Sequence, residues 1–158
     1  FGNTSNVLFD LDFADRHGIR FDLAFALTGG EDVLFFERIL GAGGRIVFCR
    51  SGVVHETIVP VRATLGWLVR RWVRSGNTDG RILLLRRGGG PLARVLDVFG
   101  GGCARLGVGA ARALATGPLA LAGAGHVPAE HLRVASRGWG FIRSAFGSVI
   151  EEYRTHDR

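Results

Sequence analysis

The chain has 158 residues, 47% of them apolar and 22% charged. That suits one domain, or part of a larger one, with enough chain to bury a core, and it excludes an acidic disordered tail or a collagen-like repeat. The net charge of +6 is uneven: residues 1–60 carry five Arg against eight Asp or Glu, and residues 61–158 carry fifteen Arg against six, so the second part is fit to meet phosphates, nucleic acid or an anionic membrane face.

Other absences narrow the class further. Two cysteines, Cys49 and Cys103, are too few for a disulfide scaffold or a CxxC-type zinc cluster. They read as buried small residues rather than nucleophiles. The chain opens on Phe1 and contains no Met, which reads as a fragment or processed piece. Lys is absent too, and that reads first as genome composition. No signal peptide is expected, because Asp10, Asp12 and Asp15 fall where its apolar core would run.

Residues 2–9 open polar and end apolar, like a short strand leaving a loop. Leu11 to His17 suits one or two helical turns stopped by Gly18. Phe21 to Gly30 reads as a loop running into a helix. Glu31 to Gly41 is that helix, with Val33, Phe36 and Leu40 on a broad apolar face beside Phe35 and Ile39. Residues 45–49 and 53–56 are strand candidates around the turn Arg50-Ser51-Gly52. A helix is expected from Ala63 to about Ser75, with Gly76 as its stop, and a short one from Asp79 to Arg87. Gly88-Gly89-Gly90-Pro91 is the clearest linker. It divides the chain into 1–87 and a helical extension over 88–158.

Beyond the linker the composition shifts to Ala, Gly, Leu and Arg. Leu106 to Gly125 has the length of a membrane span, about 20 residues, but Arg112 and Pro118 sit inside it. From Leu132 the apolar residues Ala135, Trp139, Ile142, Phe146, Val149 and Tyr153 step by three and four. They form one stripe flanked by Arg133, Arg137 and Arg154, weakened by Gly138, Gly140 and Gly147. Such a stripe suits either an interfacial helix or packing on the first part of the chain.

Three places could carry chemistry. Thr28-Gly29-Gly30-Glu31-Asp32 leads glycines into a helix whose first two residues are acids. The bland reading is dipole and N–H pairing at a helix start. The functional reading is a general base at a cleft rim, with glycines letting a substrate come close. Val53-Val54-His55-Glu56 offers a histidine as metal ligand or as a satisfied core or surface residue. Arg70-Arg71-Trp72 through Asn77-Thr78 is either a solvated basic face over a core Trp or a cation cluster with an aromatic platform for diphosphate or sugar. No phosphate-loop, HExxH or GxSxG motif is present.

In this order the pieces resemble the C-terminal, acceptor-side half of a family 2 glycosyltransferase of the GT-A fold. The nearest group is the bacterial exopolysaccharide, succinoglycan-type glucosyltransferases. Gly2-Asn3 matches the opening of the acceptor side. Phe21-Asp22, Phe25 and Thr28 to Asp32 match the family's FDE and GGED block. Phe35 or Phe36, Arg38, Gly41 and Gly44 to Val47 match the helix and strand after it. Val53 to Glu56 and Arg71-Trp72 through Thr78 match the strand and helix that follow. Leu68 to Trp72 resembles the QxxRW motif of processive members but lacks its Gln, which argues against a processive mechanism. Asp10-Leu11-Asp12 has the letters of a DxD metal motif in the wrong place.

The resemblance implies an α/β fold: a truncated GT-A sheet remnant with a helix-rich C-terminal extension. It implies inverting transfer from a nucleotide-sugar to a saccharide or lipid-linked acceptor. Asp32 is then the base and Glu31 its support. Asn3, Gly29, Gly30, Arg71 and Trp72 contact substrate, and His55 helps hold a divalent metal, Mg or Mn, or the diphosphate. The expected place is the cytoplasmic face of the bacterial inner membrane, reached through the C-terminal helices. Without its donor-binding half the isolated chain is expected to be inactive. Two rival readings are an Arg-rich nucleic-acid-binding module and a non-catalytic membrane-peripheral protein. No RNA or DNA motif accompanies the arginines, so no nucleic-acid partner is expected.

Overall fold

A computed structural model describes residues 4–86 and 89–151. Gly2, Asn3, Arg87, Gly88, Tyr153 and Arg154 from the expectations above lie outside the described residues. Among the described residues five α-helices follow one another: α1 (Leu11–Arg16), α2 (Glu31–Gly41), α3 (Leu65–Leu85), α4 (Pro91–Thr116) and α5 (His126–Ala145). Single 3-10 turns lie at Thr4–Asn6, Leu23–Phe25, Pro60–Ala63 and Gly117–Ala120. Local chemistry sets the helix starts. The Asp10 carboxylate accepts the Phe13 N–H at 3.0 Å, and Thr64 Oγ1 accepts the Trp67 N–H at 3.3 Å. Each pairs a donor that a helix start leaves open. Pro91 opens α4, where its missing N–H costs nothing.

The first part of the chain packs around α2. Phe35, Phe36 and Ile39 bury themselves against Ala14 of α1 and Ile19, with Phe9 and Phe13 at the edge. The Phe35 ring stacks on Phe21 at 4.4 Å and meets the edge of Phe9 at 5.1 Å. Leu34 turns the other way, joining Phe25 and Ile82 in a second cluster that ties α2 to α3.

In the second part, α5 is the middle helix, packed between α3 and α4. Glycines set this. Gly138 and Gly140 are two residues apart, so about 200° around the helix, on opposite faces. A side chain at Gly138 would strike α4 at Leu106 N and the Gly102 carbonyl, and one at Gly140 would strike α3 at the Val73 carbonyl and Asn77 N. The partners are glycines as well: Gly76 faces the Arg137 backbone, Gly102 faces Ile142 and the Gly138 carbonyl, and Gly109 faces Ala135 and the His131 carbonyl. Helix backbones are therefore in near contact on both sides of α5.

Asn77, with no exposed surface, pins the end of α5 to α3. Its Nδ2 donates to the Ser148 carbonyl at 2.9 Å and reaches the Gly140 carbonyl at 3.5 Å. Its Oδ1 accepts the Ile150 N–H at 3.2 Å. Arg137 of α5 pairs with Asp79 of α3 at a half-buried position. Burial pushes the Asp79 carboxyl above the usual range, and Arg137 and Arg105 pull against that.

Several expectations are corrected here. No strand is present among the described residues, so the GT-A sheet remnant is not found and the described chain is helical. Residues 4–6 of the first expected strand form a 3-10 turn, and residues 45–49 and 53–56 are irregular and exposed. Val47 is 76% and Phe48 86% exposed. Branched and aromatic residues favour a strand only where a neighbouring strand pairs their backbone and a second layer covers them; the described residues supply neither. Gly76 does not stop α3, because close approach to Arg137 outweighs its weak helix propensity. Cys49 and Cys103 are exposed, the first on that irregular segment and the second on a solvent-facing side of α4. Among the described residues no helix is long and apolar enough to cross a membrane.

The packing at Gly140 gives a signed expectation. Ala in place of Gly gains about 1 kcal/mol of helix propensity. Here its methyl would meet backbone atoms of α3, and overpacking costs about 1–3 kcal/mol or more. Gly140→Ala should lose about 2 kcal/mol net, lowering the melting temperature by about 4–8 °C. Calorimetry checks this, and an unchanged or higher Tm would mean that the two backbones do not meet there.

Candidate functional site

The site begins with a short loop that has little structure of its own. Asp22 accepts the Ala24 N–H at 3.1 Å and starts the 3-10 turn. The Arg38 guanidinium, 2.7 Å away, holds the Asp22 carboxyl below its usual range, helped by the Ala24 N–H. The Thr28 and Gly29 N–H groups both reach back to the Phe25 carbonyl at 3.0 Å. The chain then passes through Gly29 at φ +72° and Gly30 at φ +100°, a left-handed pair that a side chain would strain. Gly30 caps α2, and its carbonyl accepts the first helical bond, from Leu34 N–H at 3.1 Å.

Three side chains of α3 hold this loop. Arg74 Nη1 donates to the Thr28 carbonyl at 2.7 Å, and the Thr78 hydroxyl donates to the same oxygen at 3.3 Å. Arg81 donates through Nη1 to Thr28 Oγ1 at 2.9 Å and through Nη2 to the Ala24 carbonyl at 3.0 Å. The Arg81 guanidinium also lies 4.4 Å from the centroid of the buried Phe25 ring. Partial burial lowers the Arg81 pKa, and Asp22 opposes that. Positions 74, 78 and 81 are spaced i, i+4, i+7, one stripe of a helix. The three share one stripe because α3 continues through Gly76.

The two glycines make room for α3. A Cβ at Gly29 would lie 2.8 Å from Arg74 Nη1; one at Gly30 would meet Thr78 Cγ2 and come within 3.6 Å of Ile82 and Phe25. Close approach is thus the reason for glycine, but the approaching group is the protein's own helix.

Glu31 and Asp32 follow, in the first turn of α2 and partly buried. Asp32 Oδ1 accepts the Val33 N–H at 2.8 Å. Glu31 Oε2 is buried without a hydrogen-bond partner. Both carboxylates sit at the positive end of the helix dipole.

The other sequence candidates lie apart from this loop. His55 is exposed on the irregular segment. Among the described residues no cluster of three His, Cys, Asp or Glu could hold a metal ion, so they do not fit the expected divalent cation. Arg71 is exposed on α3, its guanidinium 5.2 Å from the Trp67 ring centroid. Trp72 is half-buried.

Loss of Arg81 should free the loop selectively. In Arg81→Ala, amides 26–30 should exchange about tenfold faster or more, since charge-assisted bonds at about 1.5–3 kcal/mol are removed. Protection within α4 and α5 should be unchanged. Hydrogen exchange read by mass spectrometry checks this, and uniform loosening of all helices would contradict a local clamp.

No family model matches the chain, and no solved structure matches it significantly. A curated relative is the succinoglycan biosynthesis protein ExoM of Rhizobium meliloti (strain 1021), to which the chain is 45% identical over 82 residues. The match takes in 52% of this chain and 26% of that protein, so the chain is similar to about a quarter of its length.

Proposed function

We propose that the chain is the acceptor-side portion of a family 2 glycosyltransferase acting in bacterial exopolysaccharide synthesis. Support comes first from the clamp: three α3 side chains fix the loop that delivers Glu31 and Asp32 to the start of α2. The similarity to a succinoglycan biosynthesis protein agrees with it, as does the ordered set of motifs from Phe21 to Thr78.

In the proposed reaction the acceptor hydroxyl oxygen attacks C1 of a nucleotide-sugar. The bond from C1 to the diphosphate oxygen breaks, the nucleoside diphosphate leaves with the electron pair, and the hydroxyl proton passes to Asp32. Attack from the face opposite the leaving group inverts C1. Glu31 supports the base, and Gly29 and Gly30 hold its loop. Asn3, Arg71 and Trp72 are proposed acceptor or diphosphate contacts. The donor and a divalent metal, Mg or Mn, are proposed to be held by residues other than those described. The acceptor is a saccharide, free or lipid-linked, met at the cytoplasmic face of the inner membrane. The basic second part of the chain suits that surface.

The test is Asp32→Asn in the protein that carries this sequence. The amide cannot take the proton, so kcat should fall by about 10²–10⁴-fold with the far-UV circular dichroism and melting temperature retained. Turnover near that of the wild type would contradict the assignment.

A further inference from the structure

The side of α4 that faces away from α5 is apolar along its length. Leu96, Gly100, Gly107 and Leu114 fall within about 40° of one another around the helix. Leu96 is 59% and Leu114 81% exposed. Gly100 and Gly107 differ from Gly102 and Gly109 on the inner side, which α5 approaches at backbone distance. A Cβ at Gly100 or Gly107 would meet no neighbouring side chain or helix within 4 Å. Nothing in the single chain therefore requires glycine at these two positions, and glycine weakens a helix interior. A second helix backbone laid against them would require it, as α5 does on the other side. We infer that this face is an interface between two copies of the chain, their α4 helices antiparallel about a two-fold axis near Ala104.

One register meets three requirements at once. Gly100 faces the partner's Gly107, so the two backbones can approach closely. Leu96 faces the partner's Leu114, which covers both ends of the glycine contact with apolar bulk. Asp97 faces the partner's Arg112. Both are exposed, and neither is ion-paired among the described residues. They lie about 60° apart around the helix, on the same edge of the face, and like edges meet in an antiparallel pair. The two-fold axis makes each contact twice. A parallel pair would instead set Asp97 against the partner's Asp97 and Arg112 against the partner's Arg112, like charge on like. An anionic membrane fits the face less well. It calls for basic side chains along the edges of an apolar stripe, but one edge carries Asp97, and Arg94 and Arg105 turn toward the body of the molecule. Arg94 donates to the Leu84 and Arg86 carbonyls, and the Arg105 guanidinium lies 4.6 Å from the Phe141 ring centroid. The face is about 39 Å long and about 10 Å wide, about 400 Å² per copy, which places the pair among small, reversible interfaces. The pairing does not depend on the transferase reading.

Analytical ultracentrifugation of the purified chain, from about 1 to 500 µM, tests the pairing. A monomer–dimer equilibrium is expected, with a Kd of about 10–100 µM. Gly107→Gln puts a better helix former with a bulky end at an open position. It should raise the melting temperature of the dilute chain by about 2–4 °C and still weaken association at least about tenfold. Asp97→Arg and Arg112→Asp should each weaken association about tenfold, and the two together should restore it. A chain that stays monomeric throughout this range overturns the inference. So does association unaffected by Gly107→Gln, or a double variant as weak as the single ones. A monomer that floats with phosphatidylglycerol vesicles, and loses this in Leu96→Gln, would assign the face to a membrane and overturn it too.

Discussion

One carbonyl oxygen, that of Thr28, organises the first part of the molecule. It is buried with its residue, 2% exposed, and a buried carbonyl without a donor costs about 1–3 kcal/mol. Arg74 and Thr78 supply the donors, and Arg81 takes the hydroxyl of the same residue. These bonds join segments about fifty positions apart in the chain. They also determine where α2 begins, because Gly29 and Gly30 pass directly from the clamped carbonyl into its first turn. The position of Glu31 and Asp32 is therefore set by α3 rather than by the loop that precedes them.

The α3 helix can do this because it is itself held from behind. Its opposite side lies against α5 at backbone distance through Gly76 and Asn77, and Gly80 makes room for the Ser144 side chain. Asn77 then fixes the chain leaving α5 through Ser148 and Ile150. The glycines that weaken these helices as isolated segments are what allow the approach.

Much of this was legible in the residues. The apolar spacing of Val33 to Leu40, bounded by Gly30 and Gly41, gives α2 with its observed bounds, although Leu40, expected on the apolar face, is exposed and Leu34 is buried instead. The stripe from Leu132 gives a helix, observed as His126–Ala145, but Phe146 and Val149, expected on the same helix, lie beyond its end and are exposed. The errors share a cause, since each concerns a property decided by distant residues. Gly76 reads locally as a stop, and only the passage of Arg137 across it explains its place inside a helix. Val47, Phe48 and Val53 read as strand residues, but a strand requires a partner, and pairing cannot be read from one segment. The segment Thr28 to Asp32 stands out in the sequence by its glycines and acids. Its true supports, Arg74, Thr78 and Arg81, fall on one stripe only if the helix continues through residue 76. Arg71 and Trp72 stand out by residue type, but the side chains that reach the loop are Arg74, Thr78 and Arg81 farther along the same helix.

The central claim is that α3 positions the acid-bearing loop through Thr28. A double-mutant cycle on Thr28→Val and Arg81→Gln, read by urea unfolding, tests it most directly, because the two side chains meet at 2.9 Å and each substitution removes one half of that bond. The account predicts non-additivity of about 1 kcal/mol or more. Purely additive losses, with no coupling energy beyond error, would contradict it.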